Sequence, residues 1–383
     1  MSRRTFRIAV RRFAAFESAI RKQWAAFGEA GLELEVAPLD LHALHEALFD
    51  SGGAKAGDWD VAFINTDWIA EAVETNAFLD LAPYLAAYAP DDYPNGWTES
   101  LLRLQCLAGR VLGLPYHDGP ECLIYRTDLL GDAAPPETWE EFHRLARQLH
   151  CPGEGRYGSV FAAYPDGHNA VYDFCLQLWS RGGELADLES EAAVAGLRFY
   201  REMLRDGAAV HPRCAEFDSV QSGMAFAAGE VALMVNWFGF AAMAQTAADS
   251  KVRGRVAVAP VPGGVSLNVY WILVIAAGSP HSEVAYRFLR HCASPAMDKL
   301  LTLEGAIGCR RSTWMDEEVN RAIPFYREME KLHEGARELP RLSNWSRIAA
   351  VIDGMVQAAM ATERPERELL AEAQARVAPL VNA

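Results

Sequence analysis

Gly113-Leu114-Pro115-Tyr116-His117-Asp118-Gly119-Pro120-Glu121-Cys122-Leu123-Ile124-Tyr125-Arg126-Thr127-Asp128-Leu129-Leu130 is the stretch on which the reading of this chain turns. A polar, proline-broken turn at Tyr116-His117-Asp118 separates two apolar segments, and the second segment ends in a Tyr-Arg-x-Asp-Leu pattern. After a short spacer, Pro135-Pro136-Glu137-Thr138-Trp139-Glu140-Glu141-Phe142 opens a helix-like run that reaches His150. Nowhere in the chain is there a low-complexity tract, a repeat of fixed period or a long flexible linker. Any division into lobes is therefore made by ordered crossings, of which this turn is one.

Upstream of it the chain alternates. Thr5 to Val10 reads as a strand, and Phe16, Ile20, Trp24 and Phe27 recur at helical spacing before Gly31. Leu32 to Pro38 is a second strand, Leu41 to Phe49 a helix, and Asp58 to Ile64 a third strand ending at Asn65-Thr66-Asp67-Trp68. Such a β-α-β-α-β opening predicts a largely parallel sheet with helices on both faces. Parallel sheets place ligands outside the carboxyl ends of their strands, which draws Arg11 to Phe13 and Asn65 to Trp68 to one crevice.

Downstream, helices are expected at Trp139–His150, Tyr172–Arg181, Ala192–Asp206, Met224–Glu230, His281–Cys292, Met297–Leu303, Asn320–Leu332, Ile348–Met360 and Arg367–Val377. Strands are expected at Tyr157–Ala163, Val231–Val235, Arg255–Val261 and Tyr270–Ala276.

Composition excludes several function classes. A 383-residue chain that is 51% hydrophobic can bury roughly two or three domains' worth of core. Its formal charge of −15 argues against a nucleic-acid partner, because phosphate binding needs concentrated Lys and Arg. Seven cysteines, an odd number, show no C-x-x-C pair and no metal-ligand spacing, so no metal or cofactor is expected. No apolar run reaches the ~18 residues of a membrane span. Ser2-Arg3-Arg4-Thr5-Phe6 looks like the start of a twin-arginine export signal, yet Arg7, Arg11, Arg12, Glu17, Arg21 and Lys22 interrupt the apolar segment such a signal requires. Either a leader precedes this sequence or the protein stays in the cytoplasm.

Motifs that mimic chemistry have simpler explanations. Gly153-Glu154-Gly155-Arg156-Tyr157-Gly158 matches G-x-G-x-x-G but follows a helix and precedes a strand, the wrong context for a dinucleotide fingerprint. A glycine turn is the better reading. His42 and His45 share a helix face without a further metal ligand and read as solvated or core histidines. Asp118 and Glu121 could form a glycosidase acid/base pair, or could hydrogen-bond hydroxyl groups of a bound ligand. No G-x-S-x-G, H-E-x-x-H or P-loop motif is present.

Four segments carry a resemblance: Asp58 to Ala72 with Phe78-Leu79-Asp80-Leu81-Ala82-Pro83-Tyr84-Leu85, the crossing through Phe142, Phe226 to Gly239, and Ala276 to Leu289. In their order and spacing they resemble the family 1 extracellular solute-binding proteins, the maltose-binding-protein-like receptors of ABC importers. The resemblance implies an α/β, two-lobed periplasmic-binding-protein-like fold of type II, each lobe a mostly parallel sheet flanked by helices around a cleft. It implies discontinuous lobes, 1–115 plus 262–309 and 116–261 plus 310–383. It implies a non-enzymatic receptor for a sugar or sugar derivative, monomeric, periplasmic or extracellular, with ABC permease subunits as membrane partners. A receptor for a polyamine or other small polar solute, a cytoplasmic sugar sensor and a sugar-active hydrolase are the alternatives.

Carried residue by residue, the ligand contacts implied are Arg12 and Phe13 after the first strand, Asn65, Asp67 and Trp68 after the third, and His117, Asp118 and Glu121 at the crossing. His168, Asn169 and Tyr172 match a helix start, Asn236 and Trp237 a strand end, Tyr270 and Trp271 the strand after the second crossing, and Arg310 and Trp345 the C-terminal approach.

Overall fold

A computed structural model describes residues 5–381; Ser2-Arg3-Arg4, the twin-arginine-like stretch, lies outside them. Its strands are β1 (Thr5–Arg11), β2 (Glu33–Leu39), β3 (Val61–Asn65), β4 (Gly113–His117), β5 (Glu121–Arg126), β6 (Tyr157–Val160), β7 (Val231–Trp237), β8 (Val256–Ala259), β9 (Ser266–Leu267), β10 (Trp271–Ile275) and β11 (Ala336–Arg337), besides a minimal hairpin at 106–111. They divide between two compact units. The first holds the chain up to Gly119, then Val269–Glu330 and Glu338–Ser343; the second holds Pro120–Asn268, Lys331–Arg337 and the chain from Asn344 on.

The sheet of the first unit has the order β2-β1-β3-β10-β4. β1 pairs in parallel with β2 and β3, and β10 lies antiparallel to both β3 and β4, so four of its five strands share one direction. The second unit's sheet, in the order β8-β5-β7-β6, repeats the arrangement. Here β5 is antiparallel to β8 and β7 while β6 is parallel to β7. In each sheet the one reversed strand is the first that the chain forms on entering that unit, β5 from Pro120 and β10 from Val269. A strand that starts where its neighbours finish must run against them. The mostly parallel α/β fold expected from sequence is thus found, with one inserted antiparallel strand per sheet.

Local chemistry sets the elements. Val61–Ile64 is buried throughout, as a strand covered on both faces should be, and Ile8–Val10 beside it likewise. The helix Ala14–Phe27 buries Ala15, Phe16, Ala19 and Ile20 and stops at Gly28, whose φ of 68° an L side chain rarely adopts. Trp24 stacks on Phe6 at 4.7 Å. Thr138 and Glu141 close a reciprocal capping box at the helix Trp139–Leu149. The helix expected from Met224 begins at Ser219, because Asp218 and Gln221 form another such box. The single helix expected over 320–332 is broken into Glu317–Ala322, a 3₁₀ turn at Tyr326–Glu328, and Met329–Glu334; Pro324 has no N–H to continue it. The G-x-G-x-x-G stretch is a turn, with Gly155 at φ 69° and Gly158 so close to Ala146 that a Cβ would stand 1.8 Å from the carbonyl oxygen.

The lobe boundary expected at 309/310 moves to 330/331. The reason lies at Asp298, whose carboxylate accepts the backbone N–H groups of Cys309 (2.8 Å) and Arg310 (3.1 Å) and so binds this segment to the first unit. The Arg310 guanidinium, 1% exposed, donates to the carbonyls of Ala293 (2.8 Å) and Asp91 (3.1 Å), pairs with Asp92 at 3.2 Å and lies 4.3 Å over the Trp97 ring. The boundary expected at 115/116 moves to 119/120, and that at 261/262 to 268/269. β4 runs on to His117, and β9 pairs in parallel with β11 inside the second unit.

Arg310 is therefore a structural residue, not a ligand contact. Replacing it by Met strands the buried Ala293 carbonyl and removes the partner of the Asp91 carbonyl and of Asp92; Arg310→Met is expected to cost about 3 kcal/mol in urea unfolding. A loss under ~1 kcal/mol would contradict this assignment.

Candidate functional site

In the first unit, the carboxyl ends of β1, β3 and β4 and the amino end of β10 share one edge of the sheet. Trp271 stands opposite both Asn65 and His117 in the ladder. Asn65 Oδ1 accepts the Asp67 N–H at 3.4 Å, capping the turn Thr66–Trp68 that follows β3. The turn presents the Trp68 indole edge-on to Trp271, ring centres 5.9 Å apart. Behind Trp68 stands His45, 5.1 Å away, with Nε2 2.8 Å from Glu71 and Nδ1 3.5 Å from Asp50. The Glu71 hydrogen bond, against the opposing effect of burial, holds the His45 pKa above the ordinary imidazole value.

His117 has the opposite character. Its Nδ1 accepts the Ile307 N–H at 2.9 Å, and burial lowers its pKa to about 4. At neutral pH it is an uncharged ring with its proton on Nε2. Asp118, 1% exposed, is anchored by its own N–H donating to the Ile307 carbonyl at 2.9 Å. Arg12 is exposed and paired with Asp40 at 3.0 Å, and the half-exposed Phe13 ring packs edge-on against Phe16 at 5.0 Å. Tyr270 does not join this edge. It is buried, its hydroxyl donating to the Leu101 carbonyl and its N–H to Thr66 Oγ1, and so belongs to the core.

The second unit has an edge of the same kind. β7 ends at Trp237, whose ladder partner is Glu121, the first residue of β5. The helix Asn169–Trp179 starts beside them, and Tyr172 meets the Trp237 ring at 5.9 Å with the planes 81° apart. His168 lies 6.1 Å from Tyr172, its Nδ1 2.8 Å from the Asp166 carbonyl. Asn169 Nδ2 donates to the Asp166 carboxylate at 3.5 Å. Both side chains thus brace the loop before the helix.

Two further expectations change here. Asn236 Nδ2 donates to the Ser219 carbonyl (3.1 Å) and to Ser222 Oγ (3.0 Å), while its Oδ1 accepts the Trp237 N–H at 2.8 Å. Its amide is spent on seating Trp237 and the helix Ser219–Ala227 rather than held out for a ligand. Trp345 is buried in the first turn of the helix Trp345–Ala361 and serves as core.

Sequence reading missed Asp173 and Tyr200. Asp173 follows Tyr172 on the same helix, is buried, and accepts the Tyr200 hydroxyl at 2.9 Å. Burial pushes its pKa up to about 7. Burial first, and Asp173 second, push Glu121 well above the usual carboxylate range. A signal existed: Asp173 is the lone acidic residue inside the apolar run Ala170-Val171-Tyr172-Asp173-Phe174-Cys175-Leu176. Among the described residues no three His, Cys, Asp or Glu side chains gather as a metal site, and no helix is long and apolar enough to cross a membrane.

Residues 22–313 match the family model of the bacterial extracellular solute-binding proteins. A probable ABC transporter-binding protein of Deinococcus radiodurans is 25% identical over 327 residues, 80% of this chain and 75% of that protein. Among solved structures, the maltose-bound MalE3 of T. maritima superposes with a TM-score of 0.87 at 22% identity, covering 97% of this chain and 98% of its own. A solute-binding protein of an ABC transporter from Agrobacterium radiobacter, in complex with ribitol, gives a TM-score of 0.88 at 22% identity and 98% coverage of both chains. One from Thermotoga lettingae, bound with α-D-tagatose, gives 0.86 at 18% identity, over 99% of this chain and 100% of that one.

His45 supplies a test of the support beneath Trp68. A histidine whose pKa is raised by folding contributes stability that is fully present below its unfolded value of 6.5 and is lost as pH climbs through the raised folded value. His45→Gln should therefore flatten the fall in unfolding free energy expected of the unmodified protein between ~pH 6 and ~pH 8. An unchanged slope in urea titrations at those two pH values would remove His45 from this role.

Proposed function

This chain belongs to the bacterial extracellular solute-binding proteins, and from that premise we propose that it captures a sugar, a polyol or a derivative of one and delivers it to an ABC permease. The observation that carries the reading is the repeated construction of its two strand-end edges. Each sets a perpendicular aromatic pair, Trp68 with Trp271 and Tyr172 with Trp237, beside hydrogen-bonding side chains. Flat rings cover the C–H face of a pyranose or an extended polyol at little entropic cost, while carboxylates and a neutral imidazole take up hydroxyls. Asp67, His117 and Asp118 do so on the first unit and Glu121 on the second. The maltose, ribitol and tagatose held by structural relatives support the same ligand class.

In this reading the two units are the two lobes expected from the sequence, each with an edge suited to a sugar or polyol, and the ligand-bound form is what the permease recognises. The protein works outside the cytoplasmic membrane as a monomer. The aromatic pairs argue for stacking on intact ligand rather than for hydrolysis.

The decisive experiment is a thermal-shift screen of the purified protein against sugars, polyols, uronates, amino acids and polyamines, because a ligand of the folded state raises the melting temperature by mass action. A saturable rise with one sugar or polyol class is expected. Trp237→Ala and Trp271→Ala should then each weaken that ligand by about 1 kcal/mol or more in calorimetry. A protein stabilised only by amino acids would keep its family and lose this ligand class.

A further inference from the structure

Glu121 and Trp237 are cross-strand partners, so their side chains project from the same face of the second sheet. On that face the Tyr172 ring stands 5.9 Å from Trp237, and Asp173 follows Tyr172 on its helix. The two carboxyls are 4% and 6% exposed. Asp173 accepts the Tyr200 hydroxyl, whereas Glu121 Oε2 accepts no hydrogen bond from any described residue. A buried carboxylate oxygen left in this way costs free energy unless a proton or a cation comes to it.

Among the described residues, the arginines whose contacts reach these surroundings, Arg337 and Arg201, are already engaged. From β5 and the helix Asn169–Trp179 come the buried thiols Cys122 and Cys175; from the helix Glu191–Arg205 comes Tyr200, and from Trp345–Ala361 comes Asp353. Arg337 on β11, whose charge reaches Cys175, is bound to Glu184 at 2.8 Å and lies 4.8 Å over Trp179. Arg201 is tied to Glu366 at 2.8 Å and to the Ala359 carbonyl. Burial first, and the repulsion of Asp173 second, favour the protonated form of Glu121. Burial likewise leads the upward shift of Asp173.

We propose that Glu121, backed by Asp173 and flanked by the Trp237 and Tyr172 rings, is a subsite for a protonated nitrogen, and that the ligand is a cationic sugar derivative such as an amino sugar or an aminopolyol. This rests on the receptor reading above and narrows it. Carboxylate and aromatic faces are the two groups that recognise an ammonium, the first by a charge-assisted hydrogen bond and the second through the ring quadrupole. The protons balance. An ammonium that arrives charged displaces the Glu121 carboxyl proton to solvent, and a free amine takes that proton itself.

The test uses the full chain and matched probes that differ in one group: glucose and glucosamine, galactose and galactosamine, sorbitol and 1-amino-1-deoxysorbitol. Affinities are measured by titration calorimetry at ~pH 6 and ~pH 8, in two buffers of different protonation enthalpy. The amino member of one pair is expected to bind at least 10-fold more tightly than its hydroxyl twin. That advantage should widen at the higher pH with proton release, and should vanish in Glu121→Gln. Asp173→Asn is the second variant should the first fail to fold. An equal or tighter neutral twin, or an amino advantage that survives both variants, overturns the subsite and leaves the sugar receptor standing. No binding by any probe overturns both.

Discussion

One antiparallel strand in each sheet is the constraint on which the rest of this structure depends. Because β5 and β10 are the first strands formed after the chain changes units, each starts at the edge where its parallel neighbours end. That geometry puts the residues around each crossing at the carboxyl-end edge of a sheet, where α/β folds bind ligands. Glu121 and Trp271 owe their positions to it. Neither is at the end of a parallel strand, yet both lie level with residues that are, Trp237 in one case and Asn65 and His117 in the other.

The polar groups that the sequence assigns to these edges divide into those consumed by the protein and those held ready. Asn236, Asn169, Arg310 and Tyr270 are consumed, each bonded to the backbone or side chains of its own unit. Burial decides the character of the others. It keeps His117 neutral by excluding the water an imidazolium would need, and it raises the carboxyls of Glu121 and Asp173 for the same reason with the opposite sign of charge. His45, less buried and touching two carboxylates, goes the other way. Two imidazoles, His117 and His45, are thus tuned apart by what surrounds them.

Much of the fold was legible before any coordinates. The β-α-β-α-β opening, the capping signal Thr138-x-x-Glu141 and the order of the four resembling segments are local or periodic features, and each appears in the structure close to where it was expected. Strand ends and the resemblance lead to Trp68, His117, Glu121, Trp237 and Trp271, which lie at strand-end edges, and to Tyr172 at a helix start whose ring meets Trp237. Register alone misplaced Tyr270. It precedes Trp271 by one position, and a period of two turns adjacent residues to opposite faces, so one enters the core and the other the edge. Asn236 and Trp237 diverge for the same reason.

The sequence by itself determined the alternation of elements, the class of fold and the family, because these follow from hydrophobic period, turn residues and motif order along the chain. Tertiary structure decided which polar side chains remain available to a ligand. Arg310 looks like a ligand contact until Asp298, Ala293 and Asp91 are seen to enclose it. Asp173 looks like an interruption in an apolar helix until the Tyr200 hydroxyl, remote in sequence, is found bonded to it. Burial, register and long-range pairing are properties of residues brought together by folding, and a carboxyl's charge depends on neighbours that no local stretch of sequence names.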